Sequence, residues 1–195
     1  MNHKFITFEG GEGSGKTTQS RMLYDYLTAK GIEAIWTREI GGTKSAERIR
    51  EILLNEELLD TTELLLIMAA RFEHVEHVIK PALQAGKVVI CDRFIDSTMS
   101  YQEPDLAFKL HQEIFGDFMP DVTFFIDIEP EVALRRAISR GDANKFEAKE
   151  MVFHRKVYER FRALAAKYPE RIISISGSGS TAEVFERVLS CAPRA

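Results

Sequence analysis

A glycine-rich stretch near the start of the chain constrains the fold more than any other feature of the sequence. The run Phe5–Phe8 is apolar and suits a short buried strand, and TTQSRMLYDYLTAK, from Thr17 onward, has the spacing of an amphipathic helix. Between them, Gly10 to Thr17 match G-x-x-x-x-G-K-[ST] residue for residue. In this strand–loop–helix context the pattern forms a loop whose backbone N–H groups surround phosphates. The sequence therefore predicts a nucleoside triphosphate site.

The side chains of this loop have separate tasks. Lys16 reaches the β- and γ-phosphates, and the hydroxyl of Thr17 binds Mg²⁺. We expect the nucleotide to contact Gly10, Gly11, Glu12, Gly13, Ser14, Gly15, Lys16, Thr17 and Thr18.

Strand-like and helix-like segments alternate along the rest of the chain. This alternation predicts an α/β fold with a parallel sheet between layers of helices. Two helix starts have capping-box spacing, Asp60 with Glu63 and Ser180 with Glu183. The other predicted strands are Ala34–Thr37, Val88–Cys91, Val122–Ile126 and Ile172–Ile175.

Composition narrows the class of protein. A chain of 195 residues suits one domain, 1–195, and the formal charge of −4 argues against a nucleic-acid partner. The two cysteines, Cys91 and Cys191, have no metal-binding spacing and favour a reducing compartment. No apolar run is long enough for a membrane span or a signal peptide, so we expect a cytoplasmic protein without a membrane partner.

A second anion site is predicted where the strand KVVIC ends in Asp92 and Arg93. Ligands bind at the carboxyl ends of such strands, so Asp92 lies near the metal, and Arg93 can hold a phosphate with two parallel hydrogen bonds. A GTPase would show Asn-Lys-x-Asp, but the Asn-Lys pair at 144–145 lacks the aspartate. A non-catalytic nucleotide-binding switch remains as an alternative, although it would not explain Asp92 and Arg93.

Four motifs, in order and spacing, resemble bacterial thymidylate kinases: FEGGEGSGKTTQS, TREIGGT, TELLLIMAAR and DRFIDSTMSYQ. The resemblance continues through PDVTFFIDIEPEVALRRAISRG to the C-terminal region. It implies a P-loop kinase, a three-layer sandwich with a five-stranded parallel sheet, which transfers a phosphoryl group from ATP to dTMP with Mg²⁺, usually as a homodimer. The implied acceptor region is about 38–102 and the lid about 139–150. The alternative on this fold is a kinase of another nucleoside monophosphate or of a deoxynucleoside.

The resemblance also implies roles for individual residues. Lys16, Asp92 and Arg93 would be catalytic, with Lys145 or Arg140 as the lid cation, and Thr17 and Asp92 would hold the metal. Arg71 would bond a thymine carbonyl, and Tyr101 would crowd the 2′ position and favour deoxyribose. The implied acceptor-binding residues are Glu12, Arg38, Glu39, Arg50, Ile67, Arg71, Arg93, Thr98, Tyr101 and Gln102.

Several positions depart from the family pattern. Ile40 replaces a proline, so we expect a different local turn. Ile67 replaces a phenylalanine that stacks on thymine, with Phe72 or Phe94 as candidates to compensate. The glycine-rich segment after Gln102 is missing. In the lid, RGDANKFE has Lys145 where a second arginine is usual.

Two further features have ordinary interpretations. His74 and His77 lie three apart on one predicted helix, and we expect both at the surface or an interface rather than at a metal. The apolar face of ELLLIMAARFEHVEHVI suits either core packing or a dimer seam.

Overall fold

Five parallel strands form one sheet in the order β2-β3-β1-β4-β5, as a computed structural model shows for residues 4–138 and 150–192. This confirms the predicted sheet. The strands are β1 Phe5–Glu9, β2 Ala34–Arg38, β3 Val88–Asp92, β4 Val122–Asp127 and β5 Ile172–Ser176. The helices are α1 Lys16–Ala29, α2 Lys44–Asn55, α3 Asp60–His74, α4 Lys80–Gln84, α5 Ile95–Tyr101, α6 Pro104–Phe115, α7 Pro130–Ile138, α8 Met151–Lys167 and α9 Thr181–Cys191, with a π-helical turn at Val75–Ile79.

Every strand is one residue longer than predicted at its carboxyl end. The added residue is polar in each case: Glu9, Arg38, Asp92, Asp127 and Ser176. Apolar runs mark only the part of a strand that is buried on both faces, whereas the ladder of backbone hydrogen bonds continues beyond it. Because parallel strands end at the same edge, these polar residues gather where ligands bind in such sheets.

The core lies on both faces of the sheet. Val88 and Ile90 pack in one apolar cluster with α1 and α9, and Val89 and Cys91 pack in another with α3 and α6. The alternation follows from the two-residue period of a strand. The sheet is therefore covered by helices on both sides, which makes the three-layer arrangement and fixes the edge that holds the site.

The two predicted capping boxes have different outcomes. The box of Ser180 and Glu183 is present, with both reciprocal hydrogen bonds. The box of Asp60 and Glu63 is wrong, because α3 begins at Asp60 itself and no described side chain caps it. Both carboxylates lie in the first turn instead, where they favour the positive end of the helix dipole. No helix in the described part of the chain is long and apolar enough to cross a membrane.

Candidate active site

The phosphate loop joins β1 to α1 as the pattern predicted. Gly15, with φ of 98°, precedes the first residue of the helix, Lys16. The ammonium group of Lys16 turns back and donates a hydrogen bond of 2.9 Å to the carbonyl of Gly11. Burial, followed by the positive charge of Arg93, lowers the pKa of Lys16. The negative charge of a polyphosphate in the loop would favour the protonated ammonium and so oppose this lowering of the pKa of Lys16.

Gly13 lies close to the backbone of α7. Its φ is 73°, and a Cβ at this position would lie 1.9 Å from the backbone oxygen of Ala133 in α7. A side chain at residue 13 would therefore collide with the backbone of α7. The segment carrying the predicted lid cations begins directly after this helix, but Arg140 and Lys145 lie outside the described residues.

Thr17 and Asp92 meet at the carboxyl end of β3. The Thr17 hydroxyl donates a short hydrogen bond to Oδ2 of Asp92. The other carboxylate oxygen, Oδ1, is buried and has no hydrogen-bond partner among the described residues. A hydroxyl and a carboxylate with an available oxygen fit the oxygen ligands that Mg²⁺ prefers.

Arg93 forms the centre of a charged cluster between the loop and α5. It has a positive φ of 71°, and its guanidinium donates to Glu12 at 2.5 Å, to Ser97 at 2.9 Å and to the carbonyl of Gly10 at 3.0 Å. Tyr101 donates to the same Glu12 oxygen at 3.0 Å. The sequence placed Glu12 opposite an acceptor, and the structure brings it against the predicted acceptor-phosphate arginine.

The charges in this cluster shift one another's ionisation. Burial alone would raise the pKa of Glu12, but Arg93 and Lys16 outweigh it and lower this pKa to about 2. Burial opposes the charge of Arg93 as well, yet Glu12 outweighs that effect and raises the pKa of Arg93. Burial raises the pKa of Tyr101, which keeps its hydroxyl protonated and able to donate. The site therefore contains a positively charged Arg93, a negatively charged Glu12 and an uncharged Tyr101.

Glu9, at the carboxyl end of β1, forms hydrogen bonds with the segment that follows Arg93. It accepts hydrogen bonds from the backbone N–H of Phe94 at 2.7 Å and from the hydroxyl of Ser97 at 2.5 Å. Burial, followed by the negative charge of Asp96, raises the pKa of Glu9 to about 8. Because Ser97 also accepts from Arg93, Glu9 helps to hold the arginine in its turn. Sequence reasoning did not identify Glu9, whose only signal is a carboxylate at the end of an apolar strand.

A cavity of about 690 Å³, partly open to solvent, extends from this cluster between α2, α3 and α5. Its lining includes every predicted acceptor residue except Arg38, as far as the described residues show. Arg38 instead pairs with Glu47 at 2.8 Å on a half-exposed surface. The lining consists of Glu12, Glu39, Ile40, Arg50, Leu53, Leu54, Ile67, Arg71, Arg93, Phe94, Ser97, Thr98, Tyr101 and Gln102.

The lining contains two leucines that the sequence did not predict and one phenylalanine that it offered as an alternative. Leu53 and Leu54 lie three and four residues after Arg50 on α2, so helical spacing could have identified them. Of the two phenylalanines considered for the place of the family's stacking ring, Phe94 lines the cavity and lies 4.9 Å below the guanidinium of Arg71. Phe72 is half-exposed and packs against a neighbouring ring of α6.

One histidine that contacts the TREIGGT segment, His74, does not lie where the sequence predicted it. The prediction that His74 lies at the surface or an interface is wrong, because its ring is fully buried against Thr37 and Glu39. His77, one turn further, is exposed as expected. The Glu39–Ile40 peptide is cis, at the position where the family has proline.

A second cavity, of about 680 Å³, lies on the other side of the phosphate loop. Besides the loop and the start of α1, it is lined by Arg136 of α7 and by the SGSGS segment between β5 and α9. Arg136 donates to the carbonyl of Gly177 at 3.1 Å. By sequence alone SGSGS, residues 176–180, is typical of a short flexible turn, and only the fold brings its small residues next to the phosphate loop, where a ligand can approach closely.

Comparisons with known proteins agree with this arrangement. The family model for thymidylate kinase matches residues 8–188. A thymidylate kinase of Rickettsia africae is 52% identical over 192 residues, covering 95% of each chain, and that of Orientia tsutsugamushi is 48% identical over 198 residues, covering 96% of this chain and 91% of the relative. The crystal structure of thymidylate kinase from Ehrlichia chaffeensis matches with a TM-score of 0.79 at 37% identity, over 96% of this chain and 97% of that one.

Proposed function

The chain belongs to the thymidylate kinase family, and from that premise we propose that its two cavities are the acceptor and donor sites of the family's reaction. The reaction transfers the γ-phosphoryl group of ATP to dTMP, giving ADP and dTDP on the route to dTTP. One observation carries the assignment of the sites. The acceptor residues come from separate segments of the chain, yet they line a single cavity that meets the phosphate loop at Glu12 and Arg93.

The charges around the loop suit phosphoryl transfer. This reaction needs little covalent help from the protein, but it needs two anionic groups to be brought together and neutralised. Lys16 approaches the donor phosphates from the loop, and Arg93 reaches the acceptor phosphate with the fork that now contacts Glu12. Thr17 and Asp92 would hold Mg²⁺, which when bound supplies positive charge at the β- and γ-phosphate oxygens.

The far end of the first cavity would hold the acceptor's base and sugar. Arg71 donates to a carbonyl of thymine, with Thr98 and Gln102 beside it, and Ile67 covers the ring. Phe94 lies beneath Arg71 and supplies an aromatic surface near the position where Ile67 lacks one. Tyr101 lies between this end and Glu12, where it restricts the 2′ position. In the second cavity, Arg136 and the SGSGS segment would hold the adenosine part of ATP.

The lid is assigned from the sequence alone. We propose that Lys145, with Arg140 as the alternative, closes over the ATP phosphates, because Gly13 leaves the loop without a cation of its own at that point. Replacing Lys145 by Ala should lower kcat far more than the affinity for dTMP. If kcat is unchanged in that variant and Arg140→Ala cripples turnover, the two roles are reversed.

We also propose that the protein is a cytoplasmic homodimer. Leu65 and Phe72 lie seven residues apart on one face of α3, and their exposed fractions are 53% and 46%. The Phe72 ring contacts α6, where Ile114 is also exposed, so the patch continues over two helices. A second copy of the chain would bury this surface. Light scattering should give a dimer for the parent and a monomer for Phe72→Glu, and a monomeric parent would contradict the proposal.

The assignment of the acceptor is tested by a coupled assay of ADP release with dTMP, dUMP, dCMP, UMP and thymidine. We expect the highest kcat/KM with dTMP. Preferred turnover of another member of this panel would move the chain to the alternative kinase, and ATP binding without turnover of any acceptor would favour the nucleotide-binding switch.

A further inference from the structure

A line of side-chain hydrogen bonds runs behind the base end of the first cavity and passes through His74. The ring is fully buried, with Nδ1 3.2 Å from Oε1 of Glu39 and Nε2 2.6 Å from the hydroxyl of Thr37. Burial alone would raise the pKa of Glu39, but Arg71 and His74 outweigh it and lower this pKa, so the carboxylate accepts. In the neutral ring, Nδ1–H therefore donates to Glu39, and Nε2 accepts from Thr37.

The same line continues from Glu39 into the cavity. Its second oxygen, Oε2, accepts from Nε of Arg71 at 2.7 Å, and Nη2 of Arg71 donates to the hydroxyl of Thr98 at 2.7 Å. The guanidinium is thus held at both ends, above the ring of Phe94. His74 and Arg71 lie three residues apart on α3, so the histidine and the arginine contact one carboxylate from the same face of the helix.

The second glycine of TREIGGT, Gly42, lies directly against the ring of His74. A Cβ at Gly42 would lie 2.4 Å from Cδ2 and 2.5 Å from Nε2 of His74, and 3.0 Å from the hydroxyl of Thr37. The φ of Gly42 is also positive, at 87°. The backbone therefore passes so close to the imidazole that residue 42 has to be glycine, and this contact restricts the movement of the ring.

We propose that His74 is a positioning residue for recognition of the acceptor base, which it serves by orienting Glu39 and, through it, Arg71. This inference rests on the proposed function, in which Arg71 donates to the base. We take the carbonyl that Arg71 contacts to be the one at C4. A guanidinium only donates, so at that position it favours a carbonyl, as in dTMP, over an amino group, as in dCMP. Loss of the His74 contact would let Arg71 shift and would weaken this discrimination.

Two variants of similar chemistry separate positioning from packing. In His74→Asn, the amide nitrogen occupies the place of Nδ1 and can still donate to Glu39. In His74→Gln, the amide oxygen can occupy the place of Nε2 and accept from Thr37, so the contact with Thr37 is kept and that with Glu39 is lost. A packing role predicts that the larger glutamine is the better substitute, whereas a positioning role predicts that asparagine is.

The measurement is the ratio of kcat/KM for dTMP to that for dCMP, with thermal unfolding as a check on folding. We expect His74→Gln to lower this ratio about tenfold or more and His74→Asn to keep it within about threefold, since a hydrogen bond to a charged group is among the stronger ones. The matched control is His77→Asn, on the exposed face of the same helical run, which should leave the ratio unchanged.

A second route to the same test leaves the histidine in place. Thr37→Val removes the hydroxyl that holds Nε2 and should lower the ratio in the same direction, by less than His74→Gln. An unchanged ratio in both His74→Gln and Thr37→Val, in a parent that prefers dTMP, would overturn the inference alone. A parent with no preference for dTMP over dCMP would overturn the proposed function and the inference with it.

Discussion

The glycines of the phosphate loop differ in their surroundings, so alanine substitutions at these positions test how strongly the fold constrains the loop. For Gly13, both the positive φ of 73° and the clash with α7 oppose a side chain. Gly15 has φ of 98°, but no described atom lies within 4 Å of its added Cβ. For Gly11, neither a positive φ nor a described neighbour within 4 Å applies. The three alanine variants therefore separate backbone strain from collision.

The expected magnitudes follow from these distances. A left-handed conformation costs an alanine about 1–2 kcal/mol, which is all that Gly15→Ala should lose in the nucleotide-free protein. At Gly13, α7 would also have to retreat by about 1.5 Å, from 1.9 Å to an ordinary contact of 3.4 Å. Overpacking of this kind costs about 1–3 kcal/mol more, so Gly13→Ala should lose about 2–5 kcal/mol of unfolding free energy. Gly11→Ala should stay within about 0.5 kcal/mol of the parent.

Urea unfolding followed by circular dichroism measures these differences, and the coupled assay adds a functional readout. Because α7 directly precedes the segment that we propose as the lid, a shift of this helix by about 1.5 Å should lower the kcat of Gly13→Ala about 100-fold. The reasoning would be refuted if Gly13→Ala and Gly15→Ala were equally stable within about 0.5 kcal/mol, since the collision with Ala133 would then cost nothing.

Three further predictions concern the charged cluster. Arg93→Lys should lower kcat/KM for the acceptor about 100-fold, because an ammonium cannot reproduce the fork, whereas the exposed control Arg155→Lys should not change it. The stabilisation that protonated Glu9 gives is complete below pH 4.5 and is lost by about pH 8. Glu9→Gln should therefore remove a fall in melting temperature between pH 4.5 and about 8, and parallel profiles of parent and variant would contradict this. Asp92→Asn should raise the Mg²⁺ concentration for half-maximal rate about 10- to 100-fold in a metal titration, and an unchanged requirement would exclude Asp92 from the metal site.

The elements of the fold and much of the site were predictable because their signals are local. An apolar run, a loop pattern or a helical spacing depends on residues that are close along the chain, and these identified the five strands, the phosphate loop and the carboxyl edge of the sheet. The sequence placed Asp92 and Arg93 at that edge because parallel strands end together. Apart from Asp92, it did not identify the polar last residue of each strand, since the ladder of hydrogen bonds does not require an apolar side chain.

Contacts between distant segments were decided only by the tertiary structure. Glu12 and Arg93 are 81 residues apart, and nothing in either segment encodes their ion pair. The burial of His74, which the sequence predicted at the surface or an interface, depends on the close approach of the TREIGGT loop. Arg38 lies outside the lining of the cavity, and its guanidinium pairs with Glu47 instead. By itself the sequence determined which chemical groups the site contains. The packing of the phosphate loop, α3 and α5 around them decided which groups touch, because a buried charge needs a partner and folding brings that partner from a distant segment.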